Sequence, residues 1–270
     1  MKSLALTFGG LLTAFVTLLC LCGHLADTTP IPDTVPPPTP ASGQYVPAAK
    51  RPPVDSLRPA YRVTPSGRYS ESGTLFPHAD SRLPKFAPPP GYMFAISSAS
   101  NRRGQIVGTL RLYRSGAYTV IQDHGFVWQQ GRMHNLGSLP GYQISYAIAI
   151  NDKGVIAGDA VADSFPADEN IPSHAVYWVR GKIYDLGIGG ATAIDDSGTI
   201  VGVSATGTAD CPREPHALLW AHGYRYDLND LIPNNSGWVL SEARAINAKG
   251  QITGNGKLNG KPHVFLLTPR

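Results

Sequence analysis

The chain has 270 residues, of which 42% are hydrophobic and 16% charged, with 29 Gly and 24 Pro. That balance favours many short strands joined by turns over long helices, and the length allows one or two domains with a real core. The formal net charge of +4 is small and no Lys/Arg block gathers it, which argues against a nucleic-acid partner.

At the N-terminus, Lys2 precedes an uncharged apolar run from Leu4 to Gly23, the pattern of a secretory signal or a single membrane anchor over residues 1–26. Cutting after Gly23 or after Ala26 would leave Leu21 or His24 at the third position before the cut, so neither fits the small-x-small pattern and the cleavage site is poor. Leucines precede both Cys20 and Cys22, so a lipoprotein box is missing as well. The expectation is export to the periplasm or beyond the cell, with residues 4–23 either removed or retained as an inner-membrane anchor. Cys211 is then alone in the exported part, and stability there must come from packing and not from an internal disulfide. Residues 27–81, with TTPIPDTVPPPTP and RPPVDSLRP, are proline-rich and poor in large apolar side chains. They read as a disordered, extended spacer.

Residues 82–270 hold a repeat. SASNRRGQIVG (98–108), IAINDKGVIAG (148–158), TAIDDSGTIVG (192–202) and RAINAKGQITG (244–254) start 50, 44 and 52 residues apart, a period typical of repeat architectures. Each phrase predicts a hairpin. Asn or Asp opens a turn, and Gly104, Gly154, Gly198 or Gly250 supplies the left-handed conformation that follows. A second hairpin comes next: HGFVWQQGRMHNLG from 124, HAVYWVRGKIYDLG from 174 and HALLWAHGYRYDLN from 216, with a truncated HVFLL at 263. Each unit is therefore four antiparallel strands, and the fold class is all-β. A small propeller of about four blades fits best. A partial ring, a β-solenoid and a sandwich accommodate the same hairpins. The last unit lacks a fourth strand, and matching RLPKFAPPPGY to MHNLGSLPGY assigns that strand to Arg82–Phe86.

The repeat phrase, His-Ala-x-x-Trp, and the stretches DLNDLIPNNSGWVL and AINAKGQITGNGKLNGKPHVFLLTP together resemble the extracellular HAF-repeat proteins of bacteria over about residues 82–270. The name triplet itself departs, as His-Gly-Phe, His-Ala-Val, His-Ala-Leu and His-Val-Phe. The resemblance implies an exported repeat domain and no particular reaction.

His124, His174, His216 and His263 return with the repeat and could ring one metal ion. Period-2 alternation instead puts the first three on the same strand face as Trp128, Trp178 and Trp220. A buried, hydrogen-bonded structural role is the expectation, with no metal. GDAVADSFPADEN (158–170) clusters Asp159, Asp163, Asp168 and Glu169. Its spacing fits no calcium loop, so it reads as a solvated acidic loop. Asp195 and Asp196 have turn roles, and Cys211 reads as a bystander thiol. No nucleophile elbow, His-Glu-x-x-His, Cys-x-x-Cys or phosphate loop is present, and no cofactor is expected.

In a four-strand meander, the turns after strands one and three share one side and those after strands two and four share the other. The first set is tight; the second is expected to be long and variable, and so to carry binding. Candidate binding residues there are Arg111, Tyr113, Arg114, Tyr118, Tyr142, Phe165, Arg213 and Trp238, types suited to a glycan or an envelope or extracellular protein. The expected function is non-catalytic recognition or scaffolding at the cell envelope. A glycan-directed hydrolase or lyase and a purely structural repeat are the alternatives.

Overall fold

The computed structural model describes residues 61–65, 85–113, 120–162, 173–204 and 214–270. In chain order the strands begin with β1 (Tyr61–Pro65). The first unit follows with β2 (Phe94–Ser100), β3 (Ile106–Tyr113), β4 (Val120–Gln129) and β5 (Arg132–Asn135), and the second with β6 (Ile144–Ile150), β7 (Ile156–Val161), β8 (His174–Val179) and β9 (Lys182–Ile188). The third unit holds β10 (Gly190–Ile194), β11 (Ile200–Val203), β12 (Ala217–Ala221) and β13 (Tyr224–Asp227), and the last holds β14 (Trp238–Ile246), β15 (Ile252–Leu258) and β16 (Lys261–Pro269). They make four antiparallel four-stranded sheets, and the protein is all-β. A short 3-10 turn, Leu228–Leu231, interrupts the strands. No helix among the described residues is long and apolar enough to cross a membrane. The apolar N-terminal run and most of the proline-rich stretch lie outside the described residues.

Each first turn is built by its Asn or Asp. The Asn101 Oδ1 accepts from the backbone N–H groups of Arg103 and Gln105. Asn151, Asp195 and Asn247 repeat this pair of bonds on the residues two and four further on. Each second hairpin turns on a left-handed pair, as at Arg180 (φ 52°) and Gly181 (φ 73°), the conformation a two-residue hairpin loop demands.

The closing glycine of each phrase answers a different demand. The first strand of every unit carries a bulge, between Ser97/Ala99, Ala147/Ala149, Ala191/Ala193 and Ala243/Ala245. The bulge presses the carbonyl oxygens of Ile96, Tyr146, Gly190 and Glu242 onto Gly108, Gly158, Gly202 and Gly254, where a Cβ would overlap them. Only glycine fits beneath a backbone at that approach.

The sheets stack in chain order. The face with His and Trp of each later sheet packs on the sheet before it. Trp178 and Val176 join Val107 and Val127, Trp220 and Leu218 join Ala157 and Ala175, and Phe265 and Leu267 join Val201 and Leu219. In the first sheet, that face is covered by the segment preceding β2, where Phe86 lies 5.2 Å from Trp128 and 6.2 Å from Phe126 between ring centroids.

The turns of the first three units lie side by side in a ladder. Asn101 Nδ2 donates to the Asn151 carbonyl and Asn151 Nδ2 to that of Asp195. Arg102 N–H donates to Asp152 and Asp152 N–H to Asp196. The chemistry changes at the last sheet, because Asp195 has no amide to donate and Ala248 no carboxylate to accept. There Thr192 donates to the Ala243 carbonyl, and the Asn229 amide holds both backbone groups of Leu240.

Two expectations are corrected. The missing strand of the last sheet is β1, paired from Tyr61↔Pro269 to Pro65↔Phe265, and not Arg82–Phe86. Tyr61 and Val63 alternate towards the core shared with the third sheet, whereas Phe86 is taken up by the first sheet's aromatic face. The proline-rich spacer of 27–81 is therefore not strand-free. The connections after strands two and four are also not uniformly long: β15–β16 turns on Asn259–Gly260, and β9 reaches β10 through Gly189 alone.

Replacing Gly202 by Ala is expected to cost about 3 kcal/mol, since the bulge and the sheet register would have to move, and chemical denaturation measures it. The pair Asp195→Asn with Ala248→Asp should extend the ladder to the last sheet. At about 1 kcal/mol per hydrogen bond, the melting temperature should rise by a few degrees, as calorimetry would show.

Candidate functional site

The recurring histidines are tied into their own hairpins. His124 Nδ1 meets Asn135 at 3.0 Å and the Tyr92 hydroxyl at 2.9 Å. His174 Nδ1 meets Asp185 at 3.0 Å, and His216 Nδ1 meets Asp227 at 2.5 Å. Each partner lies 11 residues further on and also accepts a backbone N–H two residues after itself, from Gly137, Gly187 or Asn229. The side chain thus clamps the strand and caps the chain leaving it. Burial lowers the His124 pKa. His263, on β16 across from Gly256, instead lies edge-on to Trp238 at 6.1 Å. Among the described residues, no three His, Cys, Asp or Glu side chains come together as a metal site would need.

Three of the candidate binding residues have structural duties. Arg111 is 8% exposed, and its guanidinium grips the fully buried Asp123 with contacts of 3.0, 3.0 and 2.7 Å. Tyr142 follows the Pro140–Gly141 turn and lies 5.1 Å from the His174 ring, as Tyr92 after Pro90–Gly91 lies 6.3 Å from His124. Trp238 is 9% exposed and packs on His263 and Phe265. It belongs to the core and is not a surface contact, because the face it occupies is the one that packs on the preceding sheet. Tyr113 ends β3, and Arg114, Tyr118, Phe165 and Arg213 lie outside the described residues, as do Cys211, Asp163, Asp168 and Glu169.

Asp159 departs from the solvated acidic loop expected of it. It sits within β7 opposite Tyr146 of β6, and its Oδ1 accepts the Ala191 N–H of β10 at 2.7 Å. The carboxyl is half-buried at the junction of the second and third sheets, and burial pushes its pKa up to about 7, against the lowering effect of the Ala191 bond. No cationic side chain among the described residues pairs with it. Tyr146 faces Asp123, and burial foremost, then that carboxylate, raises the phenol pKa. The result is a polar cluster with two parts. Arg111 and Asp123 are buried and mutually neutralised; Tyr146 and Asp159 are half-buried.

Spacing alone could have found the clamps, since His is followed 11 residues on by Asn once and by Asp twice. Nothing in the local sequence marks Asp159 or Tyr146, because their surroundings come from other units. Comparison with models of known families, with curated proteins and with solved structures finds no match.

Asp159 sets a pH dependence. Its folded pKa stands above the unfolded carboxyl value of about 4, so the folded state binds the extra proton. Its contribution is most favourable below the unfolded value and is lost as pH rises towards about 7. Asp159→Asn keeps the acceptor for Ala191 and abolishes the titration. The variant should match the parent's melting temperature near pH 4 and exceed it increasingly up to pH 8, measured by thermal denaturation across that range.

Proposed function

We propose that this chain is an exported, non-catalytic recognition or scaffold domain of the HAF-repeat kind, acting at the bacterial cell envelope. Its four sheets are arranged as the blades of a small propeller, and the class of ligand it suits is a glycan or an envelope or extracellular protein, the particular ligand being unknown. The observation that carries the reading is the side from which the long connections leave. The ladder of Asn101, Asn151 and Asp195 sets the first turns of three units side by side. Segments 114–119, 162–173 and 204–216 depart from the opposite ends of those same hairpins. Three long connections that leave from one side of a rigid scaffold suit recognition, because sequence there can vary without disturbing the core.

A glycan-directed hydrolase or lyase is the second reading, and it draws on Asp123 and Asp159 near the one phenol of Tyr146. It ranks lower because Arg111 already neutralises Asp123, which is wholly buried and so out of a substrate's reach. A purely structural repeat accounts for the core and the clamps but assigns the long connections no task.

The last unit supplies the design of the test, since β15 and β16 are joined by Asn259–Gly260 alone. Each of the three long segments is replaced by Asn-Gly, singly and together, and the parent and variants are applied to immobilised bacterial glycans and to washed envelope preparations. The parent should be retained, while the triple variant should lose at least tenfold in affinity with its circular dichroism unchanged. Retention of the triple variant at full strength, or no retention of the parent on either surface, overturns the reading.

A further inference from the structure

Positive charge is scattered along the sequence, but the strand register returns much of it to one end of the sheets. The turns after the first and third strands share that end, fixed by the pairs Ile106↔Trp128, Ile156↔Trp178, Ile200↔Trp220 and Ile252↔Leu267. Six exposed cations stand on these turns: Arg103, Arg132, Lys153, Arg180, Lys182 and Lys249. The acidic side chains of the same turns are Asp152, Asp195 and Asp196. Arg102 matches Asp152 at 3.2 Å. Six cations against the two remaining carboxylates leave a formal +4 at this end, as large as that of the entire chain. Residues 50–60, which lead into β1 at the same end, add Lys50, Arg51 and Arg58 against Asp55 alone.

The two carboxylates have other work. Asp195 Oδ1 accepts from the Ser197 and Thr199 N–H groups and the Ser197 hydroxyl, and Asp196 accepts the Asp152 N–H. The turns themselves are of matched length and none exceeds five residues. They are bonded side to side by the Asn101–Asn151–Asp195 ladder, and Gln105 Nε2 donates to Gln129 across the first sheet at 2.7 Å. No turn therefore stands out far from the rest. A Cβ on Gly154 would lie 3.7 Å from the Arg103 guanidinium, so that cation rests over the turn that carries Lys153. Like charges held together on a rigid frame repel, and an anionic partner relieves that repulsion. The third unit brings no cation to these turns; its second hairpin presents Tyr224, 38% exposed.

The form of the charge selects among anionic partners. Its field reaches only about 10 Å at ordinary salt, so the cations act together only on a partner that meets them all at once. A bilayer with anionic headgroups offers such a plane, and tyrosine is at home at its interface. A duplex is a narrow ridge that would meet a few of these turns, and one exposed tyrosine is no platform for stacking successive bases. We infer that the tight-turn end of the four sheets is a docking face for an anionic lipid bilayer, with Arg103, Lys153, Arg180 and Lys182 at its centre. It lies opposite the long connections and owes nothing to them.

The test is co-sedimentation of the full chain with vesicles of phosphatidylcholine alone, and of phosphatidylcholine with about 30% phosphatidylglycerol. The apolar run at residues 4–23 acts on both vesicle types, so the excess on anionic vesicles is the readout. That excess should be clear at about 0.05 M salt and vanish by about 0.5 M. Changing Arg103, Lys153, Arg180 and Lys182 together to Glu should reduce it roughly thirtyfold or more, with circular dichroism unchanged. The same four positions changed to Gln, a milder variant should Glu impair folding, should reduce it roughly tenfold. Ser197→Lys, which gives the third unit a cation, should raise it. Lys261→Glu, at the other end of the sheets, should leave it as it is, as should replacing all three long connections by Asn-Gly. That last variant separates failure of this face from failure of the recognition surface. The proposal is overturned if anionic vesicles bind no better than neutral ones, if the Gln and Glu variants keep the excess, if Lys261→Glu or the shortened connections remove it, or if a DNA duplex binds as tightly as the anionic vesicles.

Discussion

The structure turns on one contact made four times, the carbonyl of a bulged first-strand residue resting on the Cα of a glycine in the second strand. Without a Cβ there, the first two strands of each unit approach more closely than any other residue would allow. The bulge reorients the first strand locally, and that strand is the one laid against the preceding sheet. Stacking order, inter-sheet cores and the alignment of turns all depend on this approach. It also explains why the repeat phrase ends in glycine even though the turn has already used one glycine four residues earlier.

The second hairpin of each unit is held by a different device. The pairing of His174 with Asp185, and of His216 with Asp227, joins the third strand to the end of the fourth. Each carboxylate then holds the backbone that leaves the sheet. In the third unit this continues into Asn229, whose amide fastens β14. The stretch DLND is thus one continuous set of hydrogen bonds from histidine to the next sheet. The first unit substitutes Asn135 and adds the Tyr92 hydroxyl, keeping the geometry with an uncharged partner.

What the sequence reveals of this architecture follows the range of the interactions. Asn151 and Gly154 are demanded by bonds and dihedrals within five residues, so the hairpins and their period are legible directly. The strand Tyr61–Pro65 is not, because its alternation is short, stands among prolines and has its partner at the far end of the chain. Trp238 and Tyr142 have the composition of surface contacts, and only their rings' positions against His263 and His174 show that they are internal. Asp159 lies beside a run of acidic residues and reads as one of them. Its character comes from burial against the third sheet and from the Ala191 N–H, more than 30 residues further on, which no local pattern encodes.

The fourth strand of the last sheet has a topological consequence. β1 reaches its place from the other end of the repeat, and the chain between Pro65 and Phe94 passes from the last sheet to the first. Its pairing with β16 is made of backbone bonds, the Thr64 hydroxyl donating to the Leu266 carbonyl, and the apolar sides of Tyr61 and Val63. The last sheet is thus completed across the whole length of the repeat, with Thr64 and Leu266 joined although they stand 202 residues apart in the chain.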